Sequence, residues 1–210
     1  IFSADGSGYT ASNSGGNSNI LPPFQGFWVR TSGSSASMQF EENDKSTTQR
    51  VFQKSIKDES GFRVYINSDQ TTKYSFCYVK FNSDASEDYV AGEDALRRKN
   101  PSPWPNIAVI SSDNEELQVS STSIENVGHK VIPIHVETFN SGNHTLRFEG
   151  IEDIEGCIVL EDVELNTLQP IDSANSSYAF SLTSSSNPER FKLHIYNYNS
   201  ELATENSACF

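Results

Sequence analysis

The strongest constraint on this chain is the alternation of apolar and polar side chains over many short segments. Residues 61–68, for example, put Phe62, Val64 and Ile66 on one face of an extended strand and polar side chains on the other. Residues that favour turns separate such segments about every 8–12 positions, which is typical of β-sandwiches and jelly rolls.

The composition also favours strands and turns over helices. Ser, Thr and Asn supply 32, 12 and 18 of the 210 residues, and such side chains compete with the helical backbone for hydrogen bonds. The 13 Phe, 8 Tyr and 2 Trp provide large groups for a shared core. We therefore predict an all-β fold, an antiparallel, jelly-roll-like β-sandwich of about a dozen short strands with one short helix.

The predicted strands carry this alternation or a short apolar run. They cover residues 26–30, 37–42, 61–68, 72–81, 106–111, 116–121, 130–138, 143–150, 156–163, 177–182 and 190–198. The run 93–99 contains good helix formers and predicts the short helix. Pro133 lacks a backbone donor, so its strand is expected at a sheet edge or a bulge.

Two pairs of neighbouring segments predict β-hairpins. The strand over 61–68 is expected to pair with that over 72–81, and the strand over 106–111 with that over 116–121, in both cases across a short polar turn. The continuous apolar centre of 156–163 predicts a strand buried on both faces.

We expect one β-sandwich domain over residues 20–198. A Gly-, Ser- and Asn-rich stretch over 1–19 is typical of a flexible leader. The polar tail over 199–210 is expected to lead into a further segment of a longer protein.

The net charge excludes several classes of partner. Fifteen basic residues against 28 acidic ones leave a formal charge of −13, so the chain lacks the cationic footprint of a nucleic-acid binder. An anionic membrane surface is disfavoured for the same reason. Apolar runs stay well below the ~20 residues needed to cross a bilayer, so no membrane insertion is expected.

The cysteines indicate neither a zinc site nor a disulfide framework. Cys77, Cys157 and Cys209 are odd in number and have no C-x-x-C spacing. Cys77 lies within a predicted strand and is expected to be a small buried apolar group. The sequence leaves the redox state of all three open.

Catalytic patterns are missing from the sequence. The chain has no G-x-S-x-G elbow, no H-E-x-x-H and no phosphate-binding glycine motif, and its four histidines are scattered. Adjacent carboxylates such as Glu161 and Asp162 face opposite ways on a strand, so they cannot form a glycosidase pair by themselves. We expect a protein that is not an enzyme and has no catalytic residues.

An acidic loop over residues 83–94 is the candidate metal site. Asp84, Glu87, Asp88 and Asp94 lie close together there, and Ca²⁺ prefers six to eight oxygen ligands from such loops. The alternative is an ordinary acidic loop whose Asp side chains cap the short helix that follows.

Two aromatic side chains are candidates for ligand binding. Trp104 lies in a proline-fixed loop and Tyr89 in the acidic loop, and exposed rings of this kind stack on sugars. The alternative places such rings in the core or at its rim.

A series of short motifs along the chain resembles a known family. The motifs are residues 20–33, 38–46, 61–66, 74–97, 117–125, 130–137, 145–167, 178–182 and 187–195. In this order they are similar to the β-sandwich region just upstream of the C-terminal sorting domain in cargo proteins of the Bacteroidota type IX secretion system. The resemblance covers nearly the whole chain.

The resemblance implies location and architecture but no reaction. It implies an extracellular or outer-membrane-surface module, adhesin-like, exported by the type IX machinery through a sorting domain that this sequence does not include. We therefore expect a stalk, spacer or adhesive unit of a larger protein, with cell-surface glycans or other domains of that protein as partners. The alternative is a carbohydrate-binding module with a loop Ca²⁺ site.

One modification site fits the same hosts. Asp172-Ser173-Ala174 resembles the O-glycosylation motif that these bacteria use, which makes Ser173 the candidate acceptor.

Overall fold

The computed structural model describes residues 37, 39–45, 47, 60–91, 93–124, 128–152, 154, 156–182 and 186–196. The expected leader over 1–19, the expected strand over 26–30 and the tail over 199–210 lie outside the described residues. Within the described ranges, no helix is long and apolar enough to cross a membrane.

Eleven strands form the described part of the fold, so the all-β prediction is confirmed. They are β1 Gly61–Ser68, β2 Thr71–Phe81, β3 Ala95–Leu96, β4 Asn106–Ile110, β5 Glu116–Thr122, β6 His129–Glu137, β7 Gly142–Glu149, β8 Cys157–Asp162, β9 Thr167–Ile171, β10 Ser177–Leu182 and β11 Ser186–Tyr196. A three-residue 3-10 turn, Glu42–Asp44, precedes them.

All eleven strands belong to one mixed, barrel-like sheet. Its order is β10-β7-β1-β2-β5-β4-β6-β11-β8-β9, with β3 beside β5. The predicted hairpins β1–β2 and β4–β5 are confirmed. The expectation of a purely antiparallel sheet is wrong at one place, because β2 and β5 run parallel.

β5 joins two halves of the sheet. One half contains β10, β7, β1 and β2, and the other contains β4, β6, β11, β8 and β9. Val119 pairs with Tyr78 of β2 and with Ala95 of β3, so these two strands lie on opposite edges of β5. Leu117 pairs with Leu96 of β3 and with Val109 of β4, which places β4 on the same edge as β2. The first residues of β5 therefore belong to one half of the sheet and its last residues to the other.

The two ends of the strand order approach each other through side chains. Gln169 of β9 donates from Nε2 to the carbonyl of Ser177 on β10 at 2.9 Å. The hydroxyls of Thr167 and Tyr178 lie 3.3 Å apart. These bonds bring β9 and β10 together without a ladder between them, and they give the sheet its barrel-like closure.

One apolar core fills the interior. It is built from the inward-facing residues of both halves, among them Phe62, Ile134, Leu146 and Phe191. Phe62, Val64 and Ile66 are buried as their alternation predicts. Ile158, Val159 and Leu160 are all buried, so β8 is covered on both faces as expected.

Two local predictions are wrong. Residues 93–99 form no helix: Ala95 and Leu96 pair with β5, because strand pairing outweighs their helix propensity. The described residues between 37 and 42 form no strand and lead into the turn at Glu42 instead.

Pro133 lies in an interior strand rather than at a sheet edge. β6 is flanked by β4 and β11, and Pro133 pairs with Lys192. The ladder between β4 and β6 covers Ile134 to Glu137 and ends one residue from Pro133. A residue without a backbone N–H suits the point where a ladder stops.

Candidate functional site

A pocket opens where the β4–β6 ladder ends. Its volume is about 230 Å³, and it is bounded by the end of β4, the second half of β5, the start of β6 and the acidic loop. Six side chains with hydroxyl groups line it: Ser86, Ser111, Ser112, Ser120, Ser121 and Thr122. Lys130 and Glu87 form an ion pair at the same pocket. Val109, Ile110, Val131, Ile132 and Pro133 also line it, so the pocket combines hydroxyl groups, which both donate and accept hydrogen bonds, with apolar surface.

The acidic loop is fixed onto the β4–β5 hairpin by hydrogen bonds. The Ser112 backbone donates to the Glu87 carbonyl at 3.0 Å, and the Tyr89 backbone donates to Asp113 Oδ1 at 3.1 Å. The Ser112 hydroxyl donates to Asp88 Oδ1. These bonds make the loop a wall of the pocket.

Asp94 anchors the far end of this loop. Its Oδ1 accepts the backbone N–H of Ser121 at 2.7 Å, and its Oδ2 accepts that of Val90 at 2.8 Å. Burial raises the pKa of Asp94. The alternative prediction of a capping carboxylate fits Asp94, although the backbone that it caps belongs to a loop and a strand rather than to a helix.

The four carboxylates proposed as calcium ligands have separate neighbours. Glu87 pairs with Lys130, Asp88 with Ser112, and both oxygens of Asp94 face backbone donors. Asp84 is exposed. Across the described ranges, no three His, Cys, Asp or Glu side chains are grouped so as to hold a metal ion. Calcium binding stays a prediction, and the pocket does not depend on it.

The two candidate stacking rings have different surroundings. Trp104 is half-buried, and the ammonium of Lys73 lies over its ring at 5.0 Å from the centroid. Tyr89 packs against the core. Neither is among the residues that line the pocket.

Ser173 lies on an exposed turn. Asp172 Oδ1 holds this turn by accepting the backbone N–H groups of Ala174 at 2.8 Å and Asn175 at 2.7 Å. The position is accessible to a modifying enzyme, and glycosylation there stays a prediction.

A second polar cluster ties β3 to β5 and β6. Arg97 donates from Nε to Glu116 at 2.9 Å and pairs with Glu137 at 3.3 Å, and His135 Nδ1 lies 2.6 Å from Glu116. Lys99 completes the cluster, 3.1 Å from Glu137. Burial acts to raise the pKa of Glu116, but Arg97 and His135 outweigh it and hold that pKa below its ordinary value. The cluster is therefore a set of satisfied ion pairs across strands.

The cysteines differ in state. Cys77 is a free thiol, fully buried as predicted, and burial raises its pKa to about 12. Cys157, at the start of β8, takes part in a disulfide, which settles for this residue the redox state that the sequence left open. Cys209 lies outside the described residues.

Sequence reasoning identified the acidic loop but missed the pocket behind it. The signal lay in two clusters of hydroxyl residues, Ser111-Ser112 and Ser120 to Ser123, on either side of one hairpin. Comparisons with protein-family models, with curated proteins and with solved structures find no match.

Proposed function

We propose that this chain is a non-catalytic β-module of a secreted or cell-surface protein, acting as a stalk, spacer or adhesive unit. The observation that carries the proposal is the disulfide at Cys157. Disulfides persist in oxidising surroundings such as the cell exterior and the bacterial periplasm, and they are rare in the cytosol. The formal charge of −13 keeps the surface of such a module soluble through self-repulsion.

The electrostatics of the carboxylates support a structural role. A carboxylic acid that gives up a proton in catalysis at neutral pH needs a raised pKa and access to a substrate. Glu116 and Asp162 instead have their pKa values held low chiefly by arginine partners, and Glu137 has its pKa held low by Lys99 and then Arg97, against the effect of burial. Asp94 has a raised pKa, but both of its oxygens accept backbone N–H groups.

Export by the type IX route is part of the proposal. The ordered motifs that resemble the region upstream of the type IX sorting domain support it. The export machinery would then act on a sorting domain elsewhere in the parent protein, and this module would be displayed at the cell surface.

Redox trapping in the cells that make this protein tests the proposal. Cells are quenched with acid, alkylated, and digested, and the peptides that hold Cys77 and Cys157 are quantified before and after reduction. We expect Cys157 to be alkylated only after reduction, and Cys77 to be alkylated once the protein is denatured. Alkylation of Cys157 without reductant would contradict the proposal, provided that a known cytosolic thiol in the same sample is fully alkylated.

The hydroxyl-lined pocket favours a second function, the binding of a saccharide unit. Its volume of about 230 Å³ suits one sugar ring, and its hydroxyls match the donors and acceptors of a sugar. Among the described residues, the side chains of Ser120 and Thr122 have no hydrogen-bond partner, so they can bind a ligand without breaking an existing bond. This would make the module adhesive toward cell-surface glycans.

NMR titration of the intact chain with a panel of neutral monosaccharides tests this second function. We expect amide shifts at Ser120, Thr122 and Lys130, and their loss in the nearly isosteric variant Thr122→Val. Ser173→Ala, on an exposed turn away from the pocket, is the control. Binding that is equal in Thr122→Val, or no shifts at the pocket with any sugar, would exclude it. Repeating the series with calcium chloride or a chelator tests the predicted loop site.

A further inference from the structure

The outer face of strands β6, β8 and β11 carries a histidine pair. His194 and Tyr196 alternate with the buried Leu193 and Ile195, so their side chains point away from the core. Tyr196 pairs in register with His129 on β6, which brings His129 to the same face. His129 and His194 are 65 residues apart in sequence, and His129 Nε2 lies 2.9 Å from His194 Nδ1.

The second nitrogen of His194 has a carboxylate partner. His194 Nε2 lies 2.9 Å from Glu161 Oε2 on β8. A neutral His194 that donates from Nε2 keeps Nδ1 as a lone-pair acceptor. Histidines that bind metals usually donate their other N–H to a carboxylate in this way, because that contact fixes the tautomer and raises the basicity of the ligand.

The separation of the two nitrogens also suits a metal ion. Two nitrogens that bind one ion at about 2.0–2.1 Å lie about 2.9 Å apart when they subtend a right angle and about 3.3 Å apart at the tetrahedral angle. A right angle between imidazole ligands is typical of square-planar Cu²⁺ and Ni²⁺ sites. The rings of His129 and His194 are nearly parallel, with 10° between their planes, so the ring of His129 must turn for both lone pairs to converge. His129 can turn because it is exposed at the first residue of its strand.

The surroundings of His129 favour a cation. The net negative charge of the chain raises the local concentration of cations. Tyr196 stacks on His129 with ring centroids 4.4 Å apart, and the turn of the His129 ring exchanges this contact for the bond to the ion.

We propose that His129 Nε2 and His194 Nδ1 form a surface binding site for a late first-row divalent transition metal, Cu²⁺ before Ni²⁺ and Zn²⁺, with Glu161 as the positioning carboxylate. Two protein nitrogens bind the ion and water fills its remaining positions. When the ion binds, His129 moves its proton from Nε2 to Nδ1, so neutral rings release no net proton. The site lies outside the hydroxyl-lined pocket and does not depend on the proposed function.

Calorimetric titration of the intact chain with Cu²⁺ in a non-chelating buffer, paired with electron paramagnetic resonance, tests this site. We expect one saturable Cu²⁺ with nitrogen hyperfine structure, lost in His129→Gln and in His194→Gln. Glu161→Gln should weaken binding by at least about tenfold, as loss of an outer carboxylate does. Glu149→Gln, a half-buried carboxylate on β7 in an ion pair with Arg147, is the matched control and should bind as the wild type does.

The titrations would overturn the proposal if the wild-type chain takes up no Cu²⁺, or if the affinity is unchanged in both histidine variants. Chemical modification of the wild-type chain tests the site without a variant that could misfold. Bound Cu²⁺ should protect His129 and His194 from diethyl pyrocarbonate. Mass spectrometry identifies the modified peptides. His135 and His144 are only 8% and 2% exposed and serve as internal references. Equal modification of the pair with and without Cu²⁺ would contradict the proposal.

Discussion

Arg190 and Asp162 form a two-pronged ion pair in the interior of the fold. Arg190 Nε donates to Oδ1 of Asp162 at 3.0 Å and Nη2 donates to Oδ2 at 2.7 Å, with side chains 2% and 0% exposed. Tyr178 of β10 adds a hydrogen bond to Asp162 at 2.9 Å, and Arg190 donates to the carbonyl of Ser181 on the same strand. The pair thus links β8 and β11 to β10, near the bonds that close the sheet.

Replacing Asp162 by Asn should destabilise the fold strongly. The substitution removes the fully buried counter-ion of Arg190 and leaves it only the half-exposed Glu164 as an ion-pair partner among the described residues; breaking a buried pair typically costs about 3–5 kcal/mol. The free energy of unfolding from urea titration measures the effect. Glu164→Gln is the control, because Glu164 pairs with the same guanidinium but is 48% exposed, and it should cost less than about 1 kcal/mol. If Asp162→Asn lowers the free energy of unfolding as little as the control does, the buried ion pair does not stabilise the fold as predicted.

Asp94→Asn should be destabilising although it removes a buried charge. Asp94 accepts two backbone N–H groups, whereas an Asn side chain accepts with one oxygen and presents an NH₂ group to the second donor. One buried donor is then unsatisfied, at a cost of about 1–3 kcal/mol. Thermal and urea unfolding measure the loss. Asp84 is exposed in the same loop, so the free energy of unfolding of Asp84→Asn should stay within about 0.5 kcal/mol of the wild type. Equal losses of stability in the two variants would show that Asp94 does not anchor the loop.

Stability should fall as the pH drops through the ordinary histidine range near 6.5. Burial lowers the pKa of His144, whose Nδ1 lies 3.0 Å from the carbonyl of Gly142 and whose buried Nε2 has no partner among the described residues. The folded chain therefore binds fewer protons than the unfolded one between the two pKa values, and stability is lost as the pH falls toward the lower one. The slope for one such group is at most about 1.4 kcal/mol per pH unit.

The variant His144→Met separates this contribution from that of His129, whose pKa is also lowered. Met keeps an apolar group beside Phe180 without a titrating nitrogen. We expect the dependence between pH 6.5 and the acidic carboxylate range to become shallower in urea titrations at several pH values. An unchanged slope would show that His144 does not titrate differently on folding.

The thiols should differ in reactivity. Cys77 is fully buried and its pKa is raised to about 12, so it should resist maleimide in the native protein and react once the chain is denatured. Cys157 should react only after reduction, because it is disulfide-bonded. Labelling followed by peptide mass spectrometry distinguishes the two. Rapid native labelling of Cys77 would contradict the packing of β2 against the core.

Side-chain alternation was sufficient to predict most strands and the core. Phe62, Val64 and Ile66 occupy the buried face because a period of two admits only one register against the interior. The hairpins followed from short polar turns. β9 was missed because Pro170 lies within its five residues, and a proline in so short a run argues against a strand unless that strand lies at a sheet edge; β9 is the last strand of the order.

The pairing of distant segments could not be predicted. Tyr78 and Val119 lie on strands that run parallel. The side-chain alternation of each strand predicts which of its faces is buried, but it does not predict which strand lies beside it or in which direction. The pocket depends on that pairing, since β5 leaves β4 in order to join β2. The histidine pair was invisible for the same reason: its members are 65 residues apart and meet only through the register of β6 with β11.

The location of the protein is the most direct test of the proposed role. Intact cells that make this chain are treated with a membrane-impermeant amine-reactive label and, in parallel, with an added protease. We predict labelling of exposed lysines such as Lys99, and loss of the chain to protease without cell lysis, while a cytosolic marker stays unlabelled and intact. A chain that is labelled only after the cells are broken would contradict the proposal of an extracellular module.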